Sequence, residues 1–309
     1  MSGSVEVPFV VVSVVNWNTP TRTLECLDAL DRIEYPRMRV IVVDNASRDD
    51  SAARFRALGV EVIRCTDNGG FATGHGHALR AARACGADAL WLLNSDAVVE
   101  PHALACLVEA WREHGDAIYG GLPLRRRDDG SIVVDFPEKF VAPCAKPRPW
   151  RRDRELRFDA HWRERAPMRV AAACGVSMLL PLALVERHGW LDETWFMYCE
   201  EIDYCLRLRA AGVACWLVPG SRAWHARRGS QLGRPRVADV MRYYESRNEI
   251  RLARQHAGRA VAAIVAFKKL ARALALAPLA PRRARWLLRG GLDGMRGRVG
   301  RRYAPDDVL

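Results

Sequence analysis

Short apolar runs followed by helical patterns organise the first third of the chain. Residues 9–15 (FVVVSVV) form a continuous β-branched run, as expected of a parallel strand that is buried on both faces. Similar runs occur at 40–44, 60–65 and 89–94. Helical patterns follow them, beginning at Pro20 and covering 51–58, 78–84 and 101–113. This alternation predicts an α/β fold with a mostly parallel sheet, right-handed crossovers and helices on its flanks.

The regular alternation stops after residue 124. Residues 125–168 are charged and rich in proline, so we expect a variable excursion over the mouth of the site. A strand is then predicted at 170–180 (VAAACGVSMLL). The remaining predictions are helices over 182–188, 200–211 and 237–255 and a last strand over 213–219.

Length and cysteine usage narrow the class of protein. A chain of 309 residues allows one large domain or two ordinary ones. Its nine cysteines include no CxxC pair, so we interpret them as small buried apolar residues and not as disulfides or a zinc site. The first residues, MSGSVEVPF, lack the basic start of a secretory signal, which predicts a cytosolic protein.

Positive charge is concentrated near the carboxyl terminus. The net charge of the chain is +12, and residues 258–303 carry twelve Lys or Arg against one acid, Asp293. Such a segment predicts an anionic partner, either nucleic acid or an acidic membrane surface. Its Arg residues alternate with Ala and Leu, which favours helices that lie on a membrane. Its longest apolar run, 260–267, is too short to span a bilayer.

Acidic and amide side chains stand at the carboxyl ends of two predicted strands. Asp44 ends the second strand, and Asn94 and Asp96 end the fourth, two residues apart and pointing the same way. In open α/β sheets these ends line the ligand crevice. The Asp44 carboxylate can accept a hydrogen bond from the imide N–H of uracil or thymine. Its alternative role is a helix N-cap, which Asn45 and Ser47 already offer.

Asp96 is also a candidate metal ligand. Mg²⁺ and Mn²⁺ prefer oxygen ligands and often share them with substrate phosphates, and Asn94 would be a weaker second ligand. The alternative is a turn residue that caps the helix near Pro101. His225 follows the last predicted strand and is either a further metal ligand or a structural histidine.

A glycine-rich segment, NGGFATGHG at 68–76, follows the third predicted strand. Glycines let a backbone come close to a phosphate and present N–H groups at the start of a helix. The segment is not GxGxxG and does not follow the first strand, so a dinucleotide site is not predicted. A tight turn without a ligand is the alternative.

Three acids, Glu200, Glu201 and Asp203, open the helix predicted at 200–211. Acids in a first helical turn commonly complement the helix dipole, and that explanation stays open. One of them could instead be a base that takes a proton from an attacking hydroxyl. Successive helical residues differ by about 100° in direction, so we expect Glu200 and Asp203 to share a face and Glu201 to stand off it.

Taken in order, several segments resemble glycosyltransferase family 2, most closely its bacterial rhamnosyltransferase-like branch. The segments are VVSVVNWN, VVDNAS, NGGF, LLNSD, MYCEEIDYCLRLRAAG, WH and RYYESRNEIRL. The resemblance covers roughly residues 8–256 and implies an inverting enzyme with the Rossmann-like GT-A fold. It makes residues 1–256 the catalytic domain and 257–309 a basic amphipathic helical tail, expected to associate with a membrane.

The resemblance also implies roles for single residues. The Asp that ends the VVD run contacts the nucleobase in such enzymes, which is Asp44 here. The second acid of the DxD-type motif binds the metal that bridges the diphosphate, which is Asp96, with Asn94 in the first slot. The second acid of the helix-opening pair is the base, which is Glu201 where Asp is typical. The later histidine often completes the metal shell, and that position is His225.

Two further sets of residues follow from the resemblance. Glu200 is the competing assignment for the base. The family usually has an Asn shortly after the GF of its glycine motif, but this chain has His75, Gly76 and His77, so nucleotide contacts from that turn are doubtful. The implied nucleotide-binding residues are Asn16, Asn18, Asp44, Asn45, Gly70, Phe71 and Asn94.

The implied cofactor is Mg²⁺ or Mn²⁺, and the implied donor is a dTDP- or UDP-linked sugar, with dTDP-rhamnose favoured. The acceptor is expected to be a glycan or a lipid-linked hydroxyl in the assembly of bacterial surface polysaccharide. Residues 259–302 would bind an anionic membrane surface, not nucleic acid. These expectations together describe a cytoplasmic enzyme at the inner face of the cell membrane.

Two other functions stay open on the sequence. The basic tail is compatible with a nucleic-acid-binding protein, although no zinc-finger or RNA-binding signature occurs and Trp286 and Tyr303 are its only Trp or Tyr residues. A sugar nucleotidyltransferase would share the fold. Such enzymes carry a Gly/Arg/Lys-rich loop directly after the first strand, where this chain has NWNTPTRT.

Overall fold

Four parallel strands build one half of the sheet. The computed structural model describes residues 6–136, 156–225 and 235–304. The four strands are β1 (Val10–Asn16), β2 (Met38–Asp44), β3 (Glu61–Arg64) and β4 (Ala89–Asn94). The register sets Asn16 beside Asp44 and Val15 beside Asn94. The polar residues that end these strands therefore meet at one edge of the sheet, as predicted.

The other half of the sheet is mixed. Its strands are β5 (Ala97–Val99), β6 (Ile118–Arg126), β7 (Ile132–Val134), β8 (Leu156–Arg157), β9 (Met168–Arg169), β10 (Ser177–Pro181) and β11 (Cys215–His225). The main path runs β3-β2-β1-β4-β10-β6-β11-β5. Strand β10 is antiparallel to both of its neighbours, β4 and β6. The predicted α/β class is confirmed, with parallel pairing concentrated in the first four strands.

The strand predicted at 170–180 is too long, because only Ser177–Pro181 pairs in the sheet. The preceding residues, 174–176, form a turn that lines a cavity instead. The N–H of Asn94 donates to the carbonyl of Val176 (3.0 Å), which ties this turn to the end of β4. A Cβ on Gly175 would lie 3.1 Å from the Phe71 ring, so the turn passes close to a neighbouring side chain.

Seven helices precede the carboxyl-terminal region in the described chain. They are α1 (Pro20–Asp31), α2 (Ser51–Ala57), α3 (Gly70–Ala84), α4 (Ala103–His114), α5 (Ala160–Arg163), α6 (Leu182–His188) and α7 (Glu200–Ala210). Helix α3 starts eight residues earlier than predicted, so the glycine-rich segment is mostly helical. Its Gly74 permits close packing, since a Cβ there would lie 2.9 Å from Val15 of β1.

Three long helices complete the described chain and pack against one another. They are α8 (Pro235–Ala257), α9 (Arg259–Leu276) and α10 (Pro281–Met295). The domain boundary expected after residue 256 stays a prediction; α8 ends at Ala257, and Gly258 (φ 90°) separates it from α9. Gly290 and Gly291 both lie inside α10. They permit a close crossing, since a Cβ on Gly290 would lie 2.3 Å from the Tyr243 carbonyl.

Much of the excursion predicted at 125–168 lies outside the described residues, namely 137–155. Its described parts are the end of β6, the short strands β7 to β9 and α5. None of the helices in the described ranges combines the length and the apolar character that a membrane crossing requires. The main hydrophobic core surrounds the sheet, and a second cluster lies where α8 meets α9.

Candidate active site

A cavity of about 740 Å³ opens at the carboxyl ends of β1 and β4. One wall comes from these strand ends and from α3, and a second comes from the turn 174–176 and the start of α7. The third wall comes from α8 and α9, through Arg242, Glu245, Glu249, Val265, Lys269 and Arg272. Helix α9 of the basic tail is therefore part of the cavity wall.

Two acids from the start of α7 reach this cavity. Glu200 is buried, and its Oε2 has no hydrogen-bond partner among the described residues. Burial, reinforced by the negative charge of Glu201, raises the pKa of Glu200 well above its usual range. Burial also raises the pKa of Glu201, which packs beside Gly175. Both carboxyls are thus held ready to bind a proton.

Asp203 does not line the cavity. Its carboxylate accepts hydrogen bonds from Arg207 (2.8 Å) and His256 (2.8 Å), which tie α7 to the end of α8. From helix geometry we expect Glu200 and Asp203 to share one face of the helix and Glu201 to lie off that face. In the structure Glu200 and Glu201 both line the cavity instead. Glu200 is the first residue of the helix. The residue before it, Cys199, has a left-handed backbone conformation, and the Glu200 side chain is turned inwards at this bend.

The segment that delivers these acids is strained and held from α8. Phe196, Tyr198 and Cys199 have φ values of 67°, 70° and 74°, a region that side-chain-bearing residues rarely adopt. We call residues 195–199 the base loop. Asn248 of α8 donates its side-chain amide to the carbonyls of Trp195 (3.1 Å), Met197 (2.7 Å) and Tyr198 (3.0 Å). One side chain thus fixes three carbonyls of the base loop.

Arg247, the neighbour of Asn248 on α8, links the base loop to residues near the carboxyl terminus. We call Arg247 and Asn248 the clamp. Arg247 is fully buried and donates to Asn248 Oδ1 (2.8 Å), to the carbonyl of Trp195 (2.8 Å) and to the carbonyl of Gly300 (2.5 Å). Its guanidinium also lies over the rings of Tyr243 and Tyr244. The sequence segment RYYESRNEIRL was recognised only as part of the family pattern. A signal was present, because an Arg–Asn pair interrupts an apolar helical pattern.

Residues 300–303, the terminal brace, contact both sides of the site. The N–H of Gly300 donates to the carbonyl of Thr194 (2.7 Å), just before the base loop. Arg301 donates to the carbonyl of Asn68 (2.6 Å), beside the start of α3. Tyr244 of α8 donates to the carbonyl of Tyr303 (2.7 Å). The brace therefore links the base loop, α3 and α8.

Asp96 and His225 meet at the sheet edge of the cavity. His225 is the last residue of β11 and not a residue after it, and it pairs with Ala97 of β5, next to Asp96. Its Nε2 lies 3.2 Å from Asp96 Oδ1 and 3.4 Å from Asn94 Nδ2. The structure therefore brings together the three residues that the sequence singled out as metal ligands.

The sequence missed Asp135 at this position. Its carboxylate lies 2.8 Å from Nδ1 of His225 and 3.3 Å from Nε of Arg125. Burial disfavours a charged imidazole, but the hydrogen bonds to Asp135 and Asp96 outweigh it and raise the pKa of His225 to about 9. Asp135 lies within the excursion, where no periodicity pointed to it.

The donor atoms at this edge suit a divalent cation. Within the described residues no cluster of three or more His, Cys, Asp or Glu side chains has the arrangement of a closed metal site. A carboxylate and an imidazole that converge within 3.2 Å are nevertheless a partial ligand set. Mg²⁺ and Mn²⁺ commonly complete such sets with water and substrate phosphates, so Asp96 and His225 fit the cation implied by the sequence.

Asp44 is buried behind the strand ends and is not part of the cavity lining. Its Oδ1 accepts from Asn16 (3.0 Å). Its Oδ2 has no hydrogen-bond partner among the described residues, although Arg64 Nε lies 3.7 Å away. Asn16 and Asn18 are buried too and hydrogen-bond Ser47 or the N–H of Arg48, so they join the loops that follow β1 and β2.

Three of the expected nucleotide residues do line the cavity on this side. Asn45 donates to Asn68 Oδ1 (3.0 Å) and to the carbonyl of Gly70 (3.0 Å), which fixes the start of α3. Gly70 has φ 84°, and a Cβ there would lie 1.9 Å from the Phe196 carbonyl, so only glycine fits. Phe71 donates its N–H to that carbonyl (2.9 Å). The glycine motif thus contacts the base loop directly.

The two histidines that depart from the family pattern differ in environment. His75 is buried with Nδ1 2.7 Å from Ser13 Oγ, and burial lowers its pKa to about 3, so it is neutral. It lines the cavity beside Phe71. His77 lies 2.8 Å from an Arg80 nitrogen and outside the cavity.

The sequence matches the model of the family described as "Glycosyltransferase like family 2" over residues 8–236. The protein belongs to this family. The match ends just inside α8, so Arg247, Asn248, α9 and α10 lie outside the matched residues.

Single relatives share less with the chain. Rhamnosyltransferase WbbL of Escherichia coli (strain K12) is 45% identical over 51 residues, which are 16% of this chain and 19% of that relative. The mannosyltransferase PcManGT from Pyrobaculum calidifontis, solved with GDP-Man and Mn²⁺, aligns with a TM-score of 0.58 at 18% identity, covering 94% of this chain and 88% of that one. GalNAc-T7, solved with UDP, GalNAc and Mn²⁺, aligns with a TM-score of 0.55 at 15% identity, covering 71% of this chain and 43% of that one. These structures confirm the GT-A fold predicted from the sequence.

Proposed function

We propose that the protein is an inverting glycosyltransferase that moves a sugar from a nucleotide-diphosphate donor to an acceptor hydroxyl. One observation carries the proposal: the two acids of α7 line the same cavity as the Asp96–His225 pair. A proton acceptor and a cation-binding edge are the two devices that direct displacement at an anomeric carbon needs. Family membership supports the same reaction class.

Glu201 is the proposed base. It takes the proton of the acceptor hydroxyl while that oxygen forms a bond to the anomeric carbon. The bond from this carbon to the departing diphosphate oxygen breaks in the same step, so the configuration inverts. Glu201 is partly exposed in the cavity whereas Glu200 is buried, which favours Glu201 for contact with an acceptor. Glu200 is the competing base.

Asp96 and His225 are the proposed holders of Mg²⁺ or Mn²⁺, with Asn94 beside them. The cation supplies Lewis-acid stabilisation of the departing diphosphate. Asp135 orients the imidazole through Nδ1, so Nε2 points towards Asp96. Two similar structures, GalNAc-T7 and PcManGT, were solved with Mn²⁺.

The proposed donor carries dTDP or UDP, and dTDP-rhamnose is the favoured one. Asp44 Oδ2 is a buried acceptor without a hydrogen-bond partner, which suits the imide N–H of a pyrimidine once a base comes within reach. Rhamnose is supported by the name of the E. coli relative. The remaining nucleotide contacts are proposed at Asn45, Gly70 and Phe71, with Asn16 and Asn18 as supports. The proposed acceptor is a glycan or a lipid-linked sugar of bacterial surface polysaccharide.

A donor panel tests this function. The purified chain is mixed with Mn²⁺ and dTDP-rhamnose, UDP-glucose, UDP-N-acetylglucosamine or GDP-mannose, and release of nucleoside diphosphate is followed, with chelator as control. We expect metal-dependent turnover that is highest with the dTDP or UDP sugars, and an inverted anomeric centre in the NMR spectrum of any transfer product. Pyrophosphate release from dTTP and a sugar phosphate would instead favour a nucleotidyltransferase.

A further inference from the structure

Helix α9 presents an apolar face to solvent. Ile264, Phe267 and Leu274 are 50%, 73% and 68% exposed, and Leu279 just after the helix is 84% exposed. Large apolar side chains exposed to this extent and next to one another commonly mark an interaction surface.

The exposed apolar residues of α9 form a single stripe. With about 100° between successive residues, the stripe spans roughly a third of the helix circumference and contains no charged or polar side chain. Its members are Ala260, Ala263, Ile264, Phe267, Ala271, Leu274 and Ala275. The opposite side of the helix, with Ala262, Ala266 and Ala273, is buried. The helix is therefore apolar on both faces but partnered on only one within the described chain.

The charge around the stripe is entirely positive. Residues 259–292 carry eight Lys or Arg and no acid. Lys268 and Arg272 are exposed and border the stripe on the side that faces the cavity. An apolar face with a basic margin is the pattern of a helix that lies in the interface of an anionic bilayer. The same charge opposes self-association, because two copies joined through this face would bring their cations together.

We propose that α9 docks on an anionic lipid bilayer, with Phe267 and Leu279 inserted among the lipids and Lys268 and Arg272 against the headgroups. The helix lies parallel to the surface. Its cavity-lining residues, Val265, Lys269 and Arg272, lie on other sides of the same helix, so docking would bring this wall of the cavity within one helix diameter (~10–12 Å) of the bilayer. A lipid-linked acceptor would enter the site directly from the membrane, and this last consequence alone rests on the proposed function.

Vesicle flotation of the full chain tests the docking. The wild type, a Phe267→Ser/Leu279→Ser variant and a matched Leu58→Ser control are mixed with vesicles of phosphatidylcholine alone or with one quarter phosphatidylglycerol. Leu58, the residue after α2, is 62% exposed, so its replacement removes an exposed apolar side chain away from α9. We expect binding to anionic vesicles to weaken about tenfold or more in the double variant and to stay unchanged in the control.

Three results would overturn the proposal. Binding that high salt abolishes but the double variant retains would mean a purely electrostatic contact. Self-association in sedimentation velocity that the double variant abolishes would identify a second copy of the chain as the occupant. Oligonucleotide binding that displaces vesicles at equal salt would favour nucleic acid. Flotation needs neither donor nor acceptor, so it succeeds or fails independently of the glycosyltransferase reaction.

Discussion

Replacing Asn248 by alanine tests whether the clamp on α8 positions the base. The substitution removes the amide that holds the carbonyls of Trp195, Met197 and Tyr198. It leaves the acids of α7 untouched. Any effect on transfer is therefore expected to pass through the base loop, either directly or through Arg247, which donates to Asn248 Oδ1 (2.8 Å).

The structure gives the size of the effect. An amide NH₂ has two hydrogens, so at most two of the three contacts are full hydrogen bonds at once. A buried carbonyl left without a donor costs about 1–3 kcal/mol, so losing two such hydrogen bonds is expected to lower the free energy of unfolding by about 2–6 kcal/mol. The three positive φ values of the loop cost about 1–2 kcal/mol each. Without the clamp the loop is therefore expected to relax and displace Glu201.

A displacement of about 1 Å at a catalytic group can cost about a hundredfold in rate. We therefore expect kcat of Asn248→Ala to fall about a hundredfold, with unchanged affinity for the nucleoside diphosphate in isothermal titration. Ser246→Ala is the matched control. Ser246 is equally buried on α8 but donates to the carbonyl of Leu287 on α10, away from the loop. It should lower the melting temperature and leave kcat alone. The reasoning is refuted if both variants lose activity only in proportion to their unfolded fraction.

Four other outcomes follow from the site. Glu201→Gln should keep its affinity for the nucleotide sugar and lose a factor of about 10²–10⁴ in transfer rate, and Glu201→Asp should retain activity. If Glu200→Gln is inactive and Glu201→Gln is active, Glu200 is the base instead. Burial raises the pKa of Glu201, and the carboxyl must be ionised to accept a proton, so the transfer rate should begin to fall on acidification at a pH above the usual pKa range of a glutamate. A transfer rate that stays constant down to that usual range would contradict this. Asp96→Ala should abolish metal-dependent turnover and weaken Mn²⁺ binding in titration, whereas full wild-type activity in excess chelator would argue against a metal. Asp44→Ala should weaken dTDP or UDP binding by about 1–3 kcal/mol, and equal wild-type affinity for ADP would speak against pyrimidine recognition.

The sequence predicts the first four strands well because each is a continuous apolar run bounded by polar residues. Strand β6 escapes prediction because IYGGLPLRR contains two glycines and a proline, which are unfavourable in strands. Close packing explains the two glycines. A Cβ on Gly120 would lie 2.7 Å from Ala173, and a Cβ on Gly121 would lie 2.7 Å from Ser177. Such close approach is a tertiary property that a local pattern does not carry.

The residues of the candidate site also fall into those that the sequence could predict and those that it could not. Asp96 and the acids of α7 could be singled out because they stand at the ends of recognisable elements. Asp135 could not, because it meets His225 across 90 residues of sequence from within an irregular segment. The contribution of α8 and α9 to the cavity was missed too. Their charges indicated a surface partner, while only the packed structure shows that they also form a wall of the site.

The terminal brace has a consequence for when the enzyme becomes active. Arg301 reaches Asn68 across 233 residues, and Gly300 closes on Arg247 and on the residue before the base loop. The sheet can form as soon as its strands leave the ribosome, since proteins fold largely from the amino terminus during synthesis. The base loop gains its last supports only when residues 300–303 have emerged. A nascent chain is therefore expected to carry a folded sheet and a nearly complete cavity while Glu201, the proposed base, still lacks these supports, and transfer activity is expected only once residues 300–303 have been made.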